Sequence, residues 1–218
     1  MFNTSLKTLL FSIVLTVTAT AGQSTNLLRD PDIEHGLQAL ANPILRAAGL
    51  NRSDVKVLVV DDMSLNAFVI DHNHIFLHAG LILRLKSAAQ LQSVIAHEAA
   101  HIVNGHIARR IANVQRAKIA SVFGVLIAAA AAAAGEPEAS LGLALGASSS
   151  AGRVLLAHTR IEESSADQSA LRYLTQANIN TTAMSEVFQI FSGQTALSEV
   201  RQDPYTRTHP LNRDRIRA

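Results

Sequence analysis

The chain has 218 residues, of which 48% are hydrophobic and 17% charged, enough to bury the core of one globular domain. Its formal net charge of +2 is too small to indicate a nucleic-acid-binding protein. It contains no cysteine, which excludes disulfides, thiol catalysis and a lipid-anchored cysteine.

The first 21 residues have the features of a secretory signal peptide. Lys7 supplies a positive charge, an apolar run follows over residues 9–17, and Ala19-Thr20-Ala21 matches an A-x-A cleavage site. The apolar run is short for a bilayer span, and an uncleaved N-terminal anchor is the alternative. We therefore expect an exported protein, periplasmic in a bacterium, with a mature domain over residues 22–218.

The segment after the signal predicts one helix and then a small sheet. Asp30 can cap a helix that extends to Leu50, since Pro31 suits a first turn and apolar residues recur at helical spacing. The β-branched run 55–60 predicts a buried strand. Two shorter segments, 66–70 and 75–77, predict a hairpin that completes a small sheet.

The motif His97-Glu98-Ala99-Ala100-His101 matches H-E-x-x-H. It lies in a predicted helix, because Ser87 followed by Gln90 has the pattern of a capping box and an apolar stripe follows. Two histidines four residues apart share one face of a helix and can bind one zinc ion. Glu98 lies beside them, where a carboxylate can take a proton from water. The spacing therefore predicts two metal ligands and a general base.

Other histidines offer a weaker alternative. Three of them are separated by even numbers of residues along the predicted hairpin, so they could face the same way and form a second metal cluster: His72, His74 and His78. A histidine on a solvent-facing strand or turn needs no ligand role, so we favour none for these. The same interpretation applies to His35, His106 and His158.

A long segment of apolar and small residues follows the motif helix. Residues 119–134 contain no charged side chain, Gly135-Glu136-Pro137 interrupts the pattern, and a second stretch extends over 139–157. The first stretch is shorter than the roughly 18–20 apolar residues of a membrane span. We predict a helical hairpin over 119–157 that packs over the site or contacts a membrane surface, with a transmembrane hairpin as the alternative.

The last third of the chain predicts two helices and a basic end. In the predicted helix 160–175, Glu163 and Asp167 lie four residues apart on one face, where like charges repel unless a cation is near. A zinc ion would remove that repulsion, and a solvated acidic face is the alternative. Residues 178–193 predict another helix, and the arginine-rich segment 201–218 is typical of a solvated tail.

Four motifs follow one another along the chain. They are Asn66-Ala67-Phe68 with Gly80-Leu81-Ile82, His97–His101 extended to His106, Arg160-x-x-Glu163-x-x-Ala166-Asp167, and Thr208-His209-Pro210 with Arg215-Ile216. In this order they resemble the zinc metallopeptidase family that holds the CaaX prenyl endopeptidases, the HtpX-type membrane peptidases and the periplasmic β-barrel-assembly-enhancing protease. The resemblance extends from about Leu28 to Arg217. It implies an α+β, mainly α fold, in which a zincin-like metallopeptidase domain has a small β-sheet beside the H-E-x-x-H helix.

This resemblance also implies a ligand set and a reaction. His97, His101 and Glu163 would bind one zinc ion, and Glu98 would act as the general base. The implied activity is that of a zinc-dependent metalloendopeptidase that hydrolyses polypeptide substrates. The implied role is envelope quality control of misfolded or unassembled proteins.

Two further residues take supporting roles by the same resemblance. Asp167 would hold a ligand histidine from its other nitrogen. His209 would lie near the metal, where it could steady the oxyanion or occupy the open position in a resting state. If His209 plugs the cleft permanently, the alternative function is a non-catalytic zinc-bound chaperone or assembly factor. Periplasmic relatives usually continue into tetratricopeptide helices, and this chain ends within ten residues of its His-Pro motif, as a minimal peptidase domain or a truncated one.

Overall fold

A computed structural model describes residues 26–51, 53–133, 160–193, 197, 201–211 and 215. The predicted signal peptide and residues 134–157 of the predicted hairpin lie outside these residues. The described chain is mainly helical, with one small mixed sheet, as the resemblance implies.

The sheet has four strands in the order β1-β2-β4-β3. They are β1 (Leu27–Leu28), β2 (Lys56–Val60), β3 (Ala67–Val69) and β4 (His74–His78). The predicted hairpin is present, since β3 pairs with β4 antiparallel, whereas β2 pairs with β4 in parallel. Strand β3 therefore forms one edge of the sheet.

Helix α1 (Pro31–Ala47) begins where the sequence predicts. The Asp30 carboxylate accepts hydrogen bonds from the backbone N–H groups of Asp32 and Ile33 at 2.9 and 3.1 Å. A cap of this kind stabilises a helix by about 1 kcal/mol. The helix ends shortly before Gly49, whose φ of 71° is a left-handed conformation that glycine adopts without strain.

The short helix α2 (Ala79–Arg84) leads from β4 to the motif helix, α3 (Ala88–Val103). The Ser87 hydroxyl accepts from the Gln90 N–H at 3.2 Å, and the Gln90 side chain accepts in return from the Lys86 N–H at 2.7 Å. Helix α3 packs against α1, the sheet and α6 (Thr182–Ser192), so nearly all of its side chains are buried. The centre of the molecule is thus the helix that carries H-E-x-x-H.

Gly105 separates α3 from α4 (His106–Ala133), because its φ of 66° turns the chain where a right-handed helix would continue. The first arm of the predicted hairpin is the C-terminal half of α4, so that helix begins earlier than predicted. In the part of the chain that the structure describes, no helix is both long and apolar enough to cross a membrane.

Helix α5 is described over residues 160–176, close to its predicted limits. Helix α6 begins later than predicted, since Asn178 has a φ of 55° that interrupts the helical pattern. The C-terminal segment differs from the predicted solvated tail. It forms a short helix, α7 (Pro204–Thr208), and buries Tyr205, His209 and Arg215.

Candidate metal centre

Helix α3 supplies three side chains to the centre, and each is at most 2% exposed. The Nε2 atoms of His97 and His101 lie 3.0 Å apart on one face of the helix. Glu98 is fully buried beside them. The neighbouring Ala96, Ala99 and Ala100 are also fully buried, and their small side chains let other elements approach this turn closely.

Helix α5 brings Glu163 to the same point. One carboxylate oxygen of Glu163 lies 3.2 Å from His97 Nε2 and the other 3.5 Å from His101 Nε2. One turn further along α5, Asp167 Oδ1 lies 3.0 Å from His97 Nδ1. Asp167 therefore contacts the opposite side of the His97 ring from the one that faces Glu163.

The segment after α7 adds His209. Its Nδ1 atom lies 3.3 Å from His97 Nε2 and 3.1 Å from Glu163 Oε2. Its Nε2 atom lies 3.4 Å from Glu98 Oε1. The Tyr205 ring packs on the His209 ring with centroids 4.7 Å apart, so the imidazole has a buried neighbour on one face.

The donor atoms of four residues fit a single metal ion. His97, His101, Glu163 and His209 each offer one atom, and these atoms lie within 4.8 Å of one another. Zinc bonds of about 2.0–2.1 Å place the ligand atoms of a tetrahedral site about 3.3 Å apart. The separations of 3.0, 3.2 and 3.5 Å among the first three residues agree with that value. No other such group occurs among the described residues.

The Glu98 carboxylate is the second sign of a reactive centre. Within the described residues, neither of its oxygens has a hydrogen-bond partner, although both are buried. Burial raises the pKa of Glu98, and the nearby His209 and His97 oppose that effect. An unpartnered buried carboxyl group is costly unless a further molecule binds there. A cavity of ≈50 Å³ beside it, large enough for water, is lined by Glu98, His101 and His209.

Comparison with known proteins identifies the family. The model of peptidase family M48 matches residues 28–218. The chain belongs to peptidase family M48. It is 30% identical over 195 residues to the putative beta-barrel assembly-enhancing protease of Vibrio cholerae. It is 26% identical over 194 residues to the beta-barrel assembly-enhancing protease of Yersinia pestis and 24% identical over 197 residues to that of Escherichia coli.

These matches cover 87–88% of this chain but only 39% of each relative. The chain thus spans about two fifths of the length of these relatives. The resemblance drawn from the motifs is confirmed, and the chain carries the H-E-x-x-H motif and the distant glutamate of an M48 metallopeptidase.

Arg215 lies at this centre, although the sequence analysis placed it in the C-terminal family motif without a role. Its guanidinium donates two hydrogen bonds to Asp167, at 2.6 and 2.9 Å, and lies 3.1 Å from Glu163 Oε2. Although burial raises the pKa of Asp167, hydrogen bonds from His97 and Arg215 hold it below its ordinary value. The interpretation of 201–218 as a solvated tail is therefore wrong at this residue. The repulsion expected between Glu163 and Asp167 was the available signal that a cation lies nearby.

His106 is the second residue whose contact with the centre was not predicted, although the sequence analysis included it in the extended zinc-helix motif. It is 2% exposed, and its Nδ1 lies 2.8 Å from Nδ1 of His101. Burial, with a smaller effect of Arg109, lowers the pKa of His106 to about 4, so its ring is neutral at pH 7. Helical spacing alone would turn His106 away from the face of His101. The turn at Gly105 brings it back, and no periodicity in the sequence shows that turn.

The remaining histidines do not form a second cluster within the described structure. The His74 ring contacts the carboxylate of Asp71, and His78 Nδ1 lies 2.9 Å from the Ser64 hydroxyl. Others are exposed or undescribed: His35 and His72 are exposed, and His158 lies outside the described residues.

Proposed function

We propose that this chain is a zinc-dependent metalloendopeptidase. The observation that carries the proposal is the convergence of His97, His101 and Glu163 beside the buried carboxylate of Glu98, whose oxygens accept no hydrogen bond from the described residues. Two histidines and one carboxylate are a ligand set of catalytic zinc sites, which leave a fourth position open. A purely structural zinc site would have no need for a buried carboxylate that is not a ligand and accepts no hydrogen bond from the described residues.

His97, His101 and Glu163 would hold the ion. When bound, zinc polarises a scissile carbonyl and makes a nearby water molecule more acidic. Glu98 accepts the proton of the attacking water and passes it to the nitrogen of the leaving amine. Its desolvated environment suits both steps, because burial raises the pKa of Glu98 and makes its carboxylate a stronger base.

Asp167 and Arg215 orient the ligands. A histidine that uses Nε2 for the metal carries its hydrogen on Nδ1, and His97 Nδ1 lies 3.0 Å from Asp167 Oδ1, a carboxylate oxygen that favours this tautomer. Arg215 holds Asp167 through two hydrogen bonds. The same guanidinium donates to the Pro210 carbonyl at 2.9 Å, so it ties α5 to the segment that bears His209.

His209 occupies the fourth position of the ligand cluster in this conformation. Its Nδ1 lies within 3.3 Å of both His97 and Glu163. This arrangement supports a resting state in which His209 must move before a peptide enters. It equally favours one alternative function, a zinc-bound chaperone or assembly factor whose cleft stays closed.

The decisive variants are Glu98→Gln and His209→Ala, assayed for degradation of casein and for zinc content. We expect Glu98→Gln to keep its zinc and fold but to lose about a thousandfold in cleavage rate, since general-base catalysis is removed. Cleavage that appears only in His209→Ala would show a gated enzyme. If neither the native chain nor His209→Ala cleaves casein while both bind zinc, the result favours the chaperone alternative over the peptidase.

Extended or misfolded polypeptides are the proposed substrates. Strand β3 lies at the edge of the sheet and, with Phe68 and Val69, lines the cavity beside Glu98. An extended peptide can pair with such an edge through backbone hydrogen bonds. The predicted signal peptide and the names of the relatives support a role in envelope protein quality control, in the periplasm or outside the cell.

Contact with a membrane surface is proposed for α4. Five large apolar side chains recur at intervals of three and four residues along it, each 56–61% exposed: Ile119, Val122, Phe123, Leu126 and Ile127. The first half of the helix carries exposed Arg109, Arg110 and Arg116, and residues 106–133 include no Asp or Glu. An apolar stripe next to a basic segment suits the interface of an anionic bilayer.

A further inference from the structure

The cavity beside the metal centre connects a buried carboxylate with an exposed cation. At its buried end lies Glu98, which is fully buried. Phe68 from β3 and Ile107 and Arg110 from α4 form its outer walls. Because Arg110 is exposed whereas Glu98 is not, this cavity extends from the buried centre towards the surface at Arg110.

The geometry of α4 places Arg110 on the side of the helix that faces the cavity. Arg110 follows His106 by four residues on α4, and side chains with this spacing lie on one face of a helix. His106 contacts His101, and both histidines line the cavity together with Arg110. The charge of Arg110 also acts on Glu98, whose pKa it lowers slightly against the larger effect of burial.

The adjacent Arg109 has a different environment. Its Nε lies 3.7 Å from Glu162 Oε1, so its charge has an acidic partner. Arg109 does not line the cavity, and no acidic partner lies within ion-pair distance of Arg110 among the described residues. Arg110 therefore lines the cavity without a described acidic partner, whereas Arg109 lies outside the cavity and pairs with Glu162.

The rest of the outer wall carries no charge. It consists of the apolar Phe68, Val69 and Ile107 and the exposed hydroxyl residue Thr208, and the only acidic residue that lines the cavity is Glu98 at its buried end. A cation at the mouth of a narrow cavity attracts anionic groups more strongly than one on an open surface, because the surrounding protein screens its charge less than water does. A peptide that enters thus meets a positive charge close to the bond to be cleaved.

We propose that Arg110 selects peptides that place a carboxylate within a few residues of the scissile bond. The proposal rests on the proposed peptidase function. A guanidinium pairs with a carboxylate through two parallel hydrogen bonds. The carboxylate has two sources, an Asp or Glu side chain or the free C-terminus of a peptide that ends there.

The test uses the zinc-loaded full chain and matched peptides built around a cleavage site mapped in casein. If only His209→Ala cleaves, every variant carries that change. For each position within three residues of the scissile bond, three C-terminally amidated peptides are compared, which carry Ala, Glu or Lys at that position. A fourth bears Ala there and ends nearby in a free carboxylate. The assay measures kcat/KM.

We expect the peptide with a carboxylate at one position to be cleaved about fivefold faster than its Ala counterpart, the scale of one solvent-accessible ion pair. In Arg110→Gln the ratio should fall to about one, and Arg110→Glu should favour Lys instead. The matched control, Arg109→Gln, should keep the native ratio. A preference for the free C-terminus without one for Glu identifies the terminal carboxylate as the ligand.

Two results would overturn the proposal that Arg110 selects carboxylate-bearing peptides. One is cleavage by the native chain with no preference for carboxylates, and the other is a preference that survives in Arg110→Gln. Both leave the peptidase function intact. If no peptide is cleaved by any variant, the proposed function fails and this selection fails with it.

Discussion

At the scale of single residues, His101 has one ring nitrogen facing the ligand cluster and the other facing His106. If Nε2 of His101 binds the metal, its Nδ1 carries the hydrogen and donates it to His106 Nδ1, 2.8 Å away. His106 then carries its own hydrogen on Nε2. The pair thus holds His101 in the tautomer that a metal requires.

We expect His106→Ala to weaken zinc binding by about 10–100-fold, the usual effect of removing the partner of a ligand histidine. His106→Gln should recover part of the loss, because its amide oxygen can accept the same hydrogen bond. Competition with a chelator of known zinc affinity gives the dissociation constants. The matched control is His78→Gln, a buried histidine of β4 that contacts Ser64, away from the centre. A folded His106→Ala with native zinc affinity would contradict this assignment.

The six site residues expected from the sequence lie together in the structure. Helical spacing was sufficient for His97, Glu98 and His101, because one helix determines their relative positions. Glu163, Asp167 and His209 required the family resemblance, since they lie on other segments and no local pattern links them to α3. Arg215 and His106 stood in the recognised motifs without a role at the centre, because their contacts are tertiary, with Asp167 in one case and across the turn at Gly105 in the other.

At the scale of elements, α4 extends beyond its contacts with α3 and exposes an apolar stripe. We expect the full chain to float with vesicles that contain phosphatidylglycerol and to bind less to vesicles of phosphatidylcholine alone, because Arg109, Arg110 and Arg116 are attracted to anionic headgroups. The double variant F123S/L126S should lose most of the binding.

A control variant that loses a similar amount of exposed apolar surface elsewhere shows whether vesicle binding depends on the stripe or on exposed apolar side chains in general. Ile70 and Leu83 are 61% and 73% exposed and lie on other segments, so I70S/L83S should float like the native chain. Equal binding by both double variants, or no flotation of the native chain, would show that the stripe does not contact anionic bilayers.

The order of the elements agrees with the sequence prediction, and the differences have local causes. Periodicity located α1, α3 and the hairpin of β3 and β4 within a few residues. It could not show that β2 pairs with β4 in parallel, since the strand order depends on how the elements pack. The late start of α6 follows from the left-handed conformation of Asn178, an asparagine that the helical pattern alone does not distinguish.

At the scale of the whole molecule, the centre joins parts of the chain that are far apart in sequence. His97 and His209 are separated by 112 positions and Glu163 and His209 by 46, yet their side chains meet inside the helical core. A bound ion would link α3, α5 and the segment after α7, and would stabilise the fold by an amount that grows with the logarithm of its affinity. The proposed function therefore depends on one metal ion bound by His97, His101 and Glu163.

X-ray diffraction from crystals of the purified chain, recorded on both sides of the zinc absorption edge, tests that dependence most directly. We expect one anomalous peak at about 2.0–2.2 Å from His97 Nε2, His101 Nε2 and a carboxylate oxygen of Glu163. The absence of any peak from zinc-supplemented crystals, or a peak bound by other residues, would contradict the assignment of this centre.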